Sequence, residues 1–257
     1  MGSPVVLVTG ASRGIGKRLA LDFAAHGFDV VVVARSTRAA PSRLPGTLDE
    51  TAEAVRALGQ RALVVVADLS STQAAVEVAL RAYEEFGRID VLINNAAISP
   101  AGSALDAPLR RWELAVDINL NAPFALMHEV CPRMVEAGHG RVINISSSDA
   151  VNLVARRPSY TTTKRAIEAM SESLAVELQG TGVTVNAIRL ELDVWTEGYA
   201  FTLGDDAAGM DFEDPVVMSD ACLWLARQPG DYTGQIVTIE ALRQVGAVRP
   251  KTPAGPS

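Results

Sequence analysis

Short β-branched runs alternate with helix-length amphipathic segments along almost the whole chain, and this alternation constrains the fold more than any other feature. Strand-like runs are read at Val5 to Thr9, Asp29 to Ala34, Arg61 to Ala67, Asp90 to Asn94, Arg141 to Ile145, Val183 to Ile188 and Gln235 to Ile239. Helical periodicity fills the gaps, at about Ile15 to His26, Leu48 to Leu58, Thr72 to Phe86, Pro108 to Ala137, Tyr160 to Gln179 and Pro215 to Arg227. Strands joined by helices predict parallel pairing with both faces of the sheet covered. The expected architecture is therefore α/β: one domain over residues 1–247, with seven parallel strands in a doubly wound sheet. A chain that is 48% hydrophobic and 21% charged suits a sheet buried on both sides. Pro123 is expected to kink the long fourth helix close to Asn119. The Pro-rich end, Val248 to Ser257, is expected to be a disordered tail.

Charge and cysteine content narrow the function classes. A net charge of -7 offers no basic footprint, so neither nucleic acid nor an anionic membrane is expected as a partner. Cys131 and Cys222 are too few and too separated for a disulfide framework or a zinc site, and the three histidines share no ligand spacing, so no metal is expected. The start shows no signal peptide, and the apolar stretches are strand-sized, which predicts a soluble, cytoplasmic protein.

Two groups of residues carry chemistry. In TGASRGIG, Thr9 to Gly16, the glycines at 10, 14 and 16 follow a strand and open a helix. Gly10, Gly14 and Gly16 remove side chains where backbone must turn tightly and approach a diphosphate, and the helix N-terminus adds amide donors and a positive dipole end. The spacing is G-x-x-x-G-x-G rather than the common G-x-G-x-x-G of Rossmann folds. Farther along, Tyr160 and Lys164 stand four apart on a predicted helix and share one face. An ammonium beside a phenol favours the phenolate, which predicts a Tyr160 pKa drawn down from about 10 towards working pH. Ser147 lies thirteen residues before Tyr160.

With these motifs in order, the chain resembles the short-chain dehydrogenase/reductases, single-domain Rossmann enzymes, over roughly Pro4 to Glu240. The resemblance rests on TGASRGIG, Asp68-Leu69 after the third strand, NNAA at 94–97, Asn119 in INLNAPF, NISSS at 144–148 and YTTTK at 160–164. It implies a tetrad of Asn119, Ser147, Tyr160 and Lys164. In that tetrad Tyr160 is the general acid/base, Lys164 tunes it and holds the nicotinamide ribose, Ser147 binds the substrate oxygen, and Asn119 holds a relay water. Cofactor contacts are implied for Gly10, Ser12, Arg13, Gly14, Ile15, Gly16, Arg35, Asp68, Leu69, Asn95 and Ala96, together with Tyr160 and Lys164; Asn94 is implied to help stabilise the central sheet.

Cofactor choice turns on the end of the second strand. Ala34, Arg35 and Ser36 stand where NAD-preferring members carry an acidic residue, and Arg13 with Arg35 is expected to converge on a 2′-phosphate. NADP(H) is therefore expected, with NAD(H) open. Two departures from the family pattern stand out: Leu190-Glu191 replaces Pro-Gly after the sixth strand, and Glu240-Ala241-Leu242 replaces Asp-Gly-Gly after the last. With the LPGT run ending at Thr47, they resemble the hydroxysteroid-dehydrogenase-like branch. The aromatic residues between Asp193 and Asp214 read as a lid over an apolar ligand or as a packed surface helix.

The expected function is NADP(H)-dependent hydride transfer on a carbonyl or secondary alcohol, on a hydrophobic small molecule, by a homo-oligomer (dimer or tetramer). A catalytically impaired nucleotide-binding regulator or scaffold is the alternative, with Leu190 and Glu191 as its ground. An isomerase or dehydratase is a third reading, but such members usually carry a separate substrate domain and a different glycine loop.

Overall fold

The structure is a computed structural model and describes residues 2–207 and 209–251. Seven parallel strands form one sheet in the order β3-β2-β1-β4-β5-β6-β7. They are β1 Val5–Thr9, β2 Asp29–Ala34, β3 Ala62–Val66, β4 Val91–Asn94, β5 Gly140–Ser147, β6 Val183–Leu190 and β7 Ile236–Thr238. The helices are α1 Gly14–Ala25, α2 Leu48–Ala57, α3 Thr72–Phe86, α4 Leu109–Val116, α5 Ala122–Ala137, α6 Pro158–Glu177, α7 Glu197–Leu203, α8 Val216–Ala226 and α9 Ile239–Gln244. This is the predicted single-domain Rossmann architecture.

Strand alternation divides the core. Val6, Val8, Val30, Val32, Ile93 and Ile143 face one way, against Leu19 and Phe23 of α1, Val55 of α2 and Met218 of α8. Their neighbours Val5, Leu7, Val31, Val33, Leu92 and Val142 face the other way, against Val78 of α3, Leu126 and Met134 of α5 and Ala175 of α6. Each fully buried Leu, Ile or Phe side chain contributes about 1.5–3 kcal/mol, so both layers hold the sheet flat against its helices. The strand order reverses direction between β1 and β4, and the carboxyl ends of these two strands bound the crevice where ligands of such sheets bind.

Four segments differ from the sequence reading. The predicted helix from Pro108 to Ala137 is three pieces, α4 and α5 joined by a wide π-helical turn over Asp117–Asn121. Pro123 has no N–H to offer the Asn119 carbonyl four residues earlier and its ring crowds that oxygen; the widened turn relieves the clash and sets Asn119 apart. Strand β6 continues to Leu190, which pairs with Ser147 of β5. Strand β7 stops at Thr238, whose side chain caps α9, so Glu240-Ala241-Leu242 is helical. Finally, Val248, where the sequence marks the start of a disordered tail, is buried, and Arg249 pairs with Asp220 at 2.6 Å. The remainder of that segment, 252–257, lies outside the described residues.

Candidate active site

The glycine turn lies where β1 meets α1. Gly10 has a φ of 71°, in the left-handed region that disfavours a side chain. A Cβ on Gly16 would stand 2.2 Å from the Gly10 carbonyl oxygen and 2.7 Å from Asn95 Nδ2, so no larger residue fits without moving backbone. Helices α2, α3 and α9 are capped by the side chains of Thr47, Ser71 and Thr238, whereas Arg13 at the N-cap of α1 makes no capping bond and the first turn holds no acid. The first turn of α1 therefore has no side-chain cap of its own, as at helix N-termini that bind a diphosphate, and Thr196 and the Glu197 carboxylate approach it at Gly14. Asn95 Nδ2 donates to the Thr9 carbonyl at 2.8 Å, and the Thr9 hydroxyl accepts from the Asn95 and Ala96 N–H groups at 3.0 Å each. Asn95 thus braces the glycine turn from β4. On the far side of β4, Asn94 Nδ2 donates to Asn144 Oδ1 across to β5.

Arg35, exposed at the end of β2, lies 3.7 Å from Asp68. Asp68 also accepts the Ser70 N–H; that bond, with Arg35, holds its carboxyl below the usual range, and Leu69 beside it is buried. Arg13 differs from expectation. Its Nη2 donates to Ser36 Oγ at 2.9 Å, Ser42 Oγ at 2.6 Å and the Gly46 carbonyl at 3.2 Å, so it ties the long β2–α2 loop to the glycine turn. Ser12 is buried beneath that loop, and a Cβ on Gly46 would meet the Ser12 carbonyl at 2.5 Å.

Across the crevice, β5 and α6 bring Ser147, Tyr160 and Lys164 together. Pro158 opens α6, as a residue without an N–H does best, and Tyr160 and Lys164 share the face turned to β5. The Ser147 hydroxyl, which accepts the Asp149 N–H at 3.3 Å, lies near enough to the Tyr160 phenol to favour its phenolate. Lys164 Nζ donates to the Ile145 carbonyl at 2.6 Å and lies 5.5 Å from the Tyr160 ring centre. Burial draws the ammonium down to about 8 against a partial upward pull from Glu168. The phenol corrects the sequence reading: burial pushes its pKa above the ordinary value, and the Ser147 hydroxyl and the Arg157 charge offset only part of that rise. Asn119, buried on the wide turn, exchanges hydrogen bonds with the Ile98 backbone at 2.9 Å each and donates to Thr163 Oγ1 at 3.1 Å. It therefore joins α6 to the segment after β4.

Arg157 is the residue that the sequence undervalued. Its guanidinium lies 4.7 Å from the Tyr160 ring centre, pairs with buried Asp149 at 2.9 Å and donates to Ser99 Oγ. Position alone, three residues before Tyr160, marks it as an anion-binding candidate but does not separate it from exposed Arg156.

The segment after β6 packs against the glycine turn at Gly14. Val194 bridges to Glu213, and Phe212, only 2% exposed, takes the edges of Trp195 and Tyr199. These aromatic rings hold the segment together. Tyr199 donates to Asp193 Oδ1 at 2.7 Å, and Thr196 packs on Gly14, where an added Cβ would meet it at 3.0 Å. Glu191 turns away: its carboxylate accepts the Ile239 and Glu240 N–H groups at 3.2 and 2.7 Å, which stabilises the start of α9. The departure from Pro-Gly is thus a helix cap.

The sequence profile of the family described as short chain dehydrogenase matches residues 4–192. The chain belongs to the short-chain dehydrogenase/reductase family. It is 30% identical to hydroxysteroid dehydrogenase-like protein 2 of Danio rerio over 91% of this chain, and spans only 56% of that relative's length. Among solved structures, NAD+-bound xylitol dehydrogenase superposes with a TM-score of 0.82 at 24% identity over 93% of this chain and 98% of its own. A putative 2-deoxy-d-gluconate 3-dehydrogenase from Agrobacterium tumefaciens with bound NADP superposes with a TM-score of 0.79 at 26% identity, over 95% and 98%. As a family member, the short-chain dehydrogenase/reductase is an NAD(P)-dependent oxidoreductase acting on CH–OH or C=O groups. Among its described residues no helix is long and apolar enough to cross a membrane, and no group of three metal-ligating side chains is gathered.

Proposed function

We propose that this enzyme moves a hydride between NADP(H) and a carbonyl or secondary alcohol, with Tyr160 as general acid/base. The observation that carries the proposal is the Ser147–Tyr160–Lys164 cluster, facing an uncapped α1 N-terminus at one end of the sheet. The uncapped first turn of α1 and the tight glycine turn at Gly10, Gly14 and Gly16, with Ile15 between, fit the cofactor diphosphate. Lys164 and Tyr160 hold the nicotinamide ribose, and Asp68, Leu69 and Ala96 border the adenosine. The bound nicotinamide supplies or accepts the hydride. Ser147 and Tyr160 both hydrogen-bond the substrate oxygen, and Tyr160 passes a proton to or from that oxygen. Asn119, bonded through Thr163 to α6, fixes the path by which Lys164 exchanges its proton with solvent.

NADP(H) is preferred because exposed Arg35, with no acid at Ala34, meets a 2′-phosphate; Arg13 contributes charge nearby while holding the loop. Since Trp195 and Tyr199 each meet Phe212 edge-on, the segment after β6 spends part of its apolar surface on itself. The Arg157–Asp149 pair and Tyr199 favour a substrate with a polar group beside its carbonyl. Homo-oligomers form through α5 and α6, where Phe124 and Val176 are exposed, and the enzyme works in the cytoplasm. Titration with NADPH and NADH, followed by turnover on a panel of ketones and alcohols, tests the reading. Tight binding without turnover, unaffected by Tyr160→Phe, would favour the impaired regulator.

A further inference from the structure

Glu168 stands one helical turn beyond Lys164, as Lys164 stands one turn beyond Tyr160, so the three share one stripe of α6. It is 2% exposed, and a carboxylate that deep in a core is retained only when its charge is answered. The answer comes from three elements. Ser146 Oγ of β5 donates to Glu168 Oε1 at 2.8 Å, Arg189 of β6 grips both oxygens at 2.8 Å each, and Arg165 lies 3.6 Å away. Ser146 and Arg189 are register partners on adjacent strands, so the carboxylate pins α6 to the β5–β6 pair next to Ser147. The Lys164 carbonyl, 3.2 Å from Ser146 Oγ, is the weaker, competing acceptor for the same proton.

Lys164 needs such a neighbour. It is 4% exposed and its ammonium donates to the Ile145 carbonyl, a neutral acceptor. Charged or titratable groups on the elements packed around α6 include Arg141 of β5, Arg189 of β6 and Glu191 after it, Asp149 after β5, Asp117 of the wide turn and Arg110, Arg111 and Glu113 of α4. On α6 itself stand Tyr160, Arg165, Glu172 and Glu177, and Arg157 precedes the helix, over the Tyr160 ring. Of all these, Glu168 is the group whose field raises the proton affinity of Lys164.

We propose that Glu168, held by Arg189 and Ser146, is a positioning residue that keeps Lys164 in its charged form behind the nicotinamide ribose. Arg189 sets how strong that field is, because it neutralises part of the carboxylate. The two residues therefore act on Lys164 in opposite directions. The idea rests on the proposed role of Lys164 in cofactor binding, but its electrostatic core is open to test without cofactor.

The chain has three lysines, Lys17, Lys164 and Lys251, so isotope-enriched lysine gives three side-chain NMR signals, and Lys164→Arg identifies the one at the site. Titrating the cofactor-free protein, we expect the Lys164 midpoint to fall by roughly one pH unit or more in Glu168→Gln and to rise in Arg189→Met, with Arg189→Lys close to the parent. Above each midpoint NADPH affinity falls, so the alkaline limb of the binding profile moves with it. Unchanged midpoints in both variants, or shifts in the same direction, overturn the proposal: a purely structural brace lowers stability in both without moving Lys164 in opposite senses. If Glu168→Gln fails to fold, Arg189→Met alone decides by the sign of its shift. An opposite-signed pair of shifts with no NADPH binding in the parent enzyme would sustain the Glu168 coupling and remove the cofactor reading instead.

Discussion

Replacing Lys164 by methionine should make the cofactor-free protein more stable while removing its activity. The ammonium is buried, and its pKa drops from 10.5 to about 8 because burial penalises the charged form. That gap is worth about 3 kcal/mol at neutral pH. Methionine fills the same volume without the charge but gives up the bond to the Ile145 carbonyl, which costs about 1–2 kcal/mol. The net expectation is a gain of about 2 kcal/mol at pH 7, or roughly 4–8 °C in Tm. The pH dependence identifies the cause. Between about 8 and 10.5 the unfolded lysine keeps a proton that the folded one has lost, so parent stability rises through this window while the variant does not respond. The advantage of Lys164→Met is therefore full below about pH 8 and shrinks above it. Urea unfolding of both proteins from about pH 6 to about pH 10 measures it. A variant less stable than the parent at pH 7, or a difference that ignores pH, would refute the reasoning.

Three further outcomes follow from the geometry. Gly16→Ala should cut affinity for both NADPH and NADH and lower Tm, since its Cβ would overlap the Gly10 carbonyl at 2.2 Å; calorimetry and a melting curve suffice. Arg35→Ala should weaken NADPH more than NADH, whereas Arg13→Ala, which frees the loop at Ser36, Ser42 and Gly46, should weaken both; equal losses in Arg35→Ala would remove the phosphate contact. Arg157→Met should raise the pH at which the Tyr160 phenolate forms, because the guanidinium favours it, and difference absorbance of the phenolate in the cofactor-free protein reads the direction.

Sequence periodicity was enough for the sheet and the major helices, because each strand faces two apolar layers and each helix carries one apolar stripe. The wide turn at Asp117–Asn121 was half legible: Pro123 announced a disturbance, but a kink and a π-helical turn leave the same trace in sequence. Helix α9 was hidden because its N-terminus is stabilised from Glu191, forty-eight residues away from Ile239. At the site, Tyr160, Lys164 and Ser147 were readable from spacing, whereas the sign of the Tyr160 shift depends on how much water reaches the phenol. The roles of Arg13 and Glu168 likewise depend on partners from distant segments, Ser42 in one case and Arg189 in the other. The aromatics between Asp193 and Asp214 left a lid and a packed segment equally open, because composition counts rings but does not say that Trp195 and Tyr199 each meet Phe212 edge-on.

The central claim is that Tyr160 passes the proton that accompanies hydride transfer. Nicotinamide absorbance during turnover of the best carbonyl or alcohol of a broad panel, in parent enzyme and Tyr160→Phe, tests it most directly. We expect measurable turnover in the parent and a loss of at least about a hundredfold in Tyr160→Phe, with NADPH affinity changed far less. Turnover in Tyr160→Phe equal to that of the parent would contradict it.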